Sequence, residues 1–164
     1  MEEEIKSLVA QLEDKKQDTI GGIDFYSGTI NGKEVVLTRS GIGKVQAGVT
    51  TGLLIANYKV DAVINSGSAG GIGEGLHVGD VVLSTGAAYH DADATAFGYK
   101  LGQLPQQPQI YTADKDLLEA ISKAAKESNL VAKEGLIVTG DQFVSSSEKI
   151  AAIKEIYPKA LSCE

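Results

Sequence analysis

Ile5, Leu8, Val9 and Leu12 recur at i, i+3, i+4 and i+7, a spacing that predicts one face of a first helix. The period then shortens. Ile23–Ile30 and Glu34–Thr38 are β-rich runs joined near Asn31-Gly32, a pair that favours a two-residue hairpin turn. Ser40-Gly41-Ile42-Gly43-Lys44 leads into a helix predicted over Val45–Asn57. Strands are expected at Val60–Asn65 and Asp80–Ser84, and Leu117, Leu118, Ile121, Ala124 and Ala125 mark another amphipathic helix. Gly135–Thr139 reads as a short apolar strand. Ser145 and Glu148 have the spacing of a capping box that opens a helix through Ile156. Residues 87–111 carry no period and contain Pro105 and Pro108, so they form a long loop, a kind of segment that is usually functional.

This alternation of strand and helix predicts the α/β class, and 164 residues suffice for one domain spanning 1–164 with a real core. The chain opens directly on a helix and closes at Ala160–Glu164 on what reads as a strand just starting. Both ends are therefore expected to fall short of a whole α/β unit. A net charge of −7, with one arginine and scattered lysines, excludes a nucleic-acid partner, which needs clustered cations. The lone cysteine, Cys163, cannot form an internal disulfide and fits a reducing cytoplasm. No apolar stretch reaches membrane-spanning length, and the start is acidic where a signal peptide is basic. Glu2, Glu3 and Glu4 instead crowd a helix N-terminus, where the dipole favours negative charge.

The strongest local signal is Asn65-Ser66-Gly67-Ser68-Ala69-Gly70-Gly71, directly after the apolar run 60–64. Ligands of open α/β sheets bind just outside the carboxyl ends of strands, and glycine lets them approach the backbone. The run is neither a dinucleotide fingerprint nor a P-loop, and a plain flexible turn remains an open reading of it. His90-Asp91-Ala92-Asp93 offers too few ligands for a metal site, so no metal and no cofactor is expected. Taken singly, Glu4 reads as a solvated carboxylate and Phe143 as a core aromatic at a strand end.

Their order along the chain says more. Met1-Glu2-Glu3-Glu4, Ser40–Val45, Asn65–Gly70, the stretch Tyr89–Tyr99 (YHDADATAFGY) and Gly135–Asp141 occur in series. This series resembles the bacterial 5′-methylthioadenosine/S-adenosylhomocysteine nucleosidases of the purine nucleoside phosphorylase-like superfamily. The resemblance implies a three-layer α/β/α sandwich around a mixed sheet, a homodimer, and hydrolysis of the N-glycosidic bond to adenine in methionine salvage. It implies Glu4 as the carboxylate that activates water, and Ser68 with the backbone of Ala69 and Gly70 as the wall beside ribose and base. It implies Phe143 as the aromatic stacked on adenine, the Val144 backbone as reader of the adenine edge, and Ile42 as lining of the alkylthio pocket. Ala94, Phe97 and Pro105 match positions that reach into the partner's site and close over the 5′-substituent.

Departures follow from the same comparison. The family's glycine-bearing first strand would precede Met1. Glu164 matches the first glutamate of a Glu-Met-Glu motif that grips the ribose hydroxyls, and the Ser-Asp pair whose aspartate protonates the purine would lie further on. A polypeptide of these 164 residues alone is therefore expected to be inactive. Two alternatives stand beside hydrolysis: a purine nucleoside phosphorylase, disfavoured because Arg39 is the one arginine available for phosphate, and a catalytically dead nucleoside-binding protein.

Overall fold

The expected apolar face appears where the spacing put it. Helix α1 (Glu2–Ala10) half-buries Ile5, Leu8 and Val9, with Leu12 just beyond, and exposes Lys6, Ser7 and Ala10. The computed structural model describes residues 2–164, with side chains from Glu4 onward. Met1 and the side chains of Glu2 and Glu3, to which an acidic helix start was assigned, lie outside the described residues. Two compact units follow one another along the chain, 1–68 and 69–164.

In the first unit, β1 (Glu13–Ile20), β2 (Ile23–Ile30) and β3 (Lys33–Thr38) form an antiparallel sheet in chain order. Asn31 (φ 51°) and Gly32 (φ 75°) both adopt the positive φ that a type I′ turn requires, and Ile30 pairs Lys33 across it. Strand β1 was not expected, because seven of its eight residues are exposed and mostly charged or polar. It forms through backbone pairing to the edge of β2, which needs no apolar alternation. Helix α2 (Lys44–Tyr58) packs, like α1, against β3. Phe25 is fully buried, with its ring centroid 5.4 Å from that of Tyr58. Buried Thr50 donates from Oγ1 to the Ser40 carbonyl at 3.2 Å, tying the glycine-rich loop to α2. The strand expected at Val60–Asn65 is absent: residues 60–69 join no ladder among the described residues, and Val63 and Ile64 are exposed. Apolar sequence makes a strand only where a partner edge completes it.

The second unit is a five-stranded mixed sheet in the order β4 (Gly70–Gly71), β8 (Ala160–Cys163), β7 (Ala132–Thr139), β5 (Val81–Tyr89), β6 (Tyr111–Thr112). The three central strands run parallel and the two short edges antiparallel, so the mixed sheet that the resemblance implied is the one observed. Its core gathers Ala88, Leu136, Val138, Ile153, Tyr157, Ala160 and Cys163. Strand β5 runs past the predicted end at Ser84 through a bulge before Gly86, where the Ser84 hydroxyl donates to the Gly86 carbonyl at 2.9 Å. Helix α3 (Lys115–Glu127) is capped by Asp114, whose carboxylate accepts from Leu117 N–H at 2.9 Å. Helix α4 (Ser147–Ile156) is capped by Ser146, which accepts from Lys149 N–H, so the expected Ser145–Glu148 capping box is not formed. The cap falls one residue later, and the residue three beyond it is a lysine.

Candidate functional site

Helix α1 carries Glu4 in its first turn, and the chain returns to it at the turn after residue 65. Glu4 Oε1 accepts two hydrogen bonds of 2.8 Å, one from the Ser68 N–H and one from the Ser68 hydroxyl. A Cβ at residue 67 would lie 3.2 Å from the same oxygen, so glycine there leaves room for the carboxylate. Glu4 is half-buried and held by two donors, which sets aside the reading of a merely solvated carboxylate. Two donors on one oxygen fix the carboxylate's orientation, as the base in a hydrolytic site requires. In the same unit, Ile42 sits in the loop before α2 and is 90% exposed.

The second unit places the remaining candidates. Gly70 pairs with Cys163 and Gly71 with Ser162, so this part of the glycine run is strand and not a flexible turn; Ala69 precedes it. Phe143 is 90% exposed, which excludes the core-aromatic reading. Its neighbour Val144 packs against the core and lines a cavity of about 130 Å³ with His90, Gln142, Lys149, Ile153 and Ile156. An exposed aromatic beside an anchored backbone is an arrangement able to stack on and edge-read a planar base.

The stretch from His90 to Tyr99 does two jobs that its sequence alone did not reveal. His90 N–H donates to the Thr139 carbonyl at 2.9 Å, and Asp91 Oδ2 accepts from Asp141 N–H at 2.8 Å, so this segment braces the turn that leads to Phe143. Asp93 accepts from both the N–H and the hydroxyl of Thr95, at 2.9 and 2.7 Å, at the entry to the 3₁₀ turn Thr95–Phe97. The Thr95 hydroxyl, and then its N–H, hold the Asp93 carboxyl below its ordinary pKa. Around this turn Ala94 is buried, Phe97 is 81% exposed and Pro105 is exposed. Sequence reasoning missed Asp91 as a brace; its one signal was a carboxylate at the end of an apolar strand. Burial pushes the Cys163 thiol up, which keeps it protonated and inert.

Among the described residues, no group of three or more His, Cys, Asp or Glu gathers as a metal site. No helix among them is long and apolar enough to cross a membrane.

Comparison with known proteins gives a consistent result. The family model for the phosphorylase superfamily matches residues 1–164. The 5′-methylthioadenosine/S-adenosylhomocysteine nucleosidase of Staphylococcus aureus (strain JH9) is 46% identical over 164 residues, covering 100% of this chain and 72% of that protein. Among solved structures, the nucleosidase of the same name from Neisseria meningitidis, in complex with methylthio-immucillin-A, superposes with a TM-score of 0.98 at 47% identity. That match covers 100% of this chain and 71% of the other. The Colwellia psychrerythraea 34H nucleosidase, in complex with adenine, superposes with a TM-score of 0.95 at 42% identity, covering 100% and 69%.

Proposed function

The chain belongs to the 5′-methylthioadenosine/S-adenosylhomocysteine nucleosidases of the phosphorylase superfamily, and from that premise we propose that the protein hydrolyses the N-glycosidic bond of both nucleosides. The products are adenine with 5-methylthioribose or S-ribosylhomocysteine. The observation that carries this reading is the Glu4 carboxylate held by the N–H and hydroxyl of Ser68. Breaking a C–N glycosidic bond leaves positive charge on the ribose, so the site must stabilise an oxocarbenium-like centre and orient water onto it. Glu4 takes the proton of that water. Ser68, Ala69 and Gly70 wall the ribose and base, Phe143 stacks on adenine, and Val144 offers its N–H and C=O to the adenine edge. Adenine pairs an acceptor at N1 with a donor at N6, which suits that backbone pair; a 6-oxo purine mispairs with it.

The protein acts as a homodimer in the cytoplasm, in methionine salvage. Exposed apolar residues support the dimer: Val45, Val49 and Ile55 along α2, Ile42 before it, and Phe97 in the long loop. A second copy would cover them, with Ala94, Phe97 and Pro105 closing over the 5′-substituent in the neighbouring site. Nucleosidases among the relatives, together with a single arginine, favour water over phosphate as the nucleophile.

Product analysis on the native protein with methylthioadenosine tests this. Adenine and methylthioribose should form without phosphate, and Glu4→Gln should lower kcat by roughly 10²–10⁴-fold. A sugar 1-phosphate that forms only when phosphate is added would overturn the hydrolytic reading.

A further inference from the structure

A polar cluster outside the groups assigned above lies where α4 ends against the long loop. Tyr157, the residue after α4, is 4% exposed, and its hydroxyl donates to the carbonyl of Tyr89, the last residue of β5, at 3.0 Å. The side chain of Gln109 lies near enough to the same hydroxyl to lower its pKa, and its Nε2 donates to the Leu101 carbonyl at 2.7 Å. Gly102 (φ 78°) lies directly against the ring: a Cβ there would collide with the Tyr157 hydroxyl and the Tyr89 carbonyl. Its N–H donates to the Ala92 carbonyl at 2.8 Å. One phenol therefore gathers the root of the loop at Tyr89, its middle at Gly102 and its return at Gln109. Ala94 and Phe97 fall between the first two points, and Pro105 between the second and third.

We propose that Tyr157 is a positioning residue that holds the 90–110 loop in the shape needed to close over the 5′-substituent in the neighbouring copy's site. This rests on the reading of Ala94, Phe97 and Pro105 given above. A ring serving the core alone needs no hydroxyl, and phenylalanine would fill the same space. The hydroxyl is what bonds to the Tyr89 carbonyl beside Gly102 and fixes the loop to α4. Burial pushes this phenol above its ordinary pKa, against the opposing effect of the Gln109 side chain, so it stays a donor throughout the physiological range.

Tyr157→Phe in the native enzyme tests the assignment by comparing methylthioadenosine with adenosine, which lacks the alkylthio group. The expected result is a rise in KM of roughly 3–10-fold for methylthioadenosine, the effect of one lost hydrogen bond, with kcat and the adenosine KM within about twofold. Gln109→Ala should give the same split and supplies the answer should Tyr157→Phe fold poorly. Phe97→Ala separates the two levels of the argument. If Phe97→Ala raises the methylthioadenosine KM selectively while both anchor variants leave it unchanged, or shift both substrates equally, the anchor role is overturned alone. If Phe97→Ala shows no selectivity, the loop reading falls and the proposal with it.

Discussion

At the scale of single residues, two polar groups make opposite demands. Ser162 is 2% exposed on β8, and its hydroxyl has no hydrogen-bond partner among the described residues. A buried hydroxyl left unpaired costs about 1–3 kcal/mol, more than the small void its removal leaves. Ser162→Ala is therefore expected to raise the midpoint of thermal unfolding, and a lowered midpoint would mean the hydroxyl is paired in solution. Asp93 is the converse, an exposed carboxylate made useful by its two bonds to Thr95. Its pKa is lower in the folded loop than in the unfolded chain, so its contribution is complete above the usual carboxylate range. That contribution is lost as pH falls through the lower folded value. The protection factor of the Thr95 N–H, its exchange measured against the intrinsic rate at each pH, should accordingly be high near neutrality and fall in acid, whereas in Asp93→Ala it should be low at every pH.

At the scale of elements, the positions that sequence reasoning found and missed divide by what forms each element. Helices α1 and α3 bury apolar residues at helical spacing, and the Asn31-Gly32 hairpin needs two positive φ angles, so both left marks in the sequence. Strand β1 left none, since its pairing is backbone to backbone and its side chains face solvent. Strand β5 was cut short because its second half, Gly86-Ala87-Ala88, packs with small residues that carry little hydrophobic signal. For the candidate site, the Glu4–Ser68 pair joins residues 64 positions apart, and no local period announces it. Resemblance to a family singled out both residues, and the fold supplied the distance. The displaced cap of α4 offers a direct check. Ser146→Ala removes the acceptor for Lys149 N–H and should cost about 1 kcal/mol, whereas Ser145→Ala should cost close to nothing. Equal losses in urea unfolding of the two variants would contradict the assigned cap.

At the scale of the whole molecule, exposed apolar residues bear on how many copies act together. Val45 and Val49 are one helical turn apart on α2 and are 78% and 51% exposed, and Ile55 further along is 50% exposed. Each such side chain gains about 1.5–3 kcal/mol when fully covered, so leaving them all wet is a standing cost that self-association would remove. The chain also carries a net charge of −7, and two copies therefore repel unless apolar contact outweighs the repulsion. Val49→Glu sets these forces against each other, because it removes apolar contact and brings two new like charges together in a symmetric interface. If the proposed dimer forms, sedimentation at micromolar concentration should show dimers for the native protein and monomers for this variant. On the proposed reading of the 90–110 loop, activity should fall with dissociation. The loss should recover as protein concentration rises, which distinguishes weakened association from a damaged site. A native protein that sediments as a monomer with full activity would remove the second copy from the mechanism.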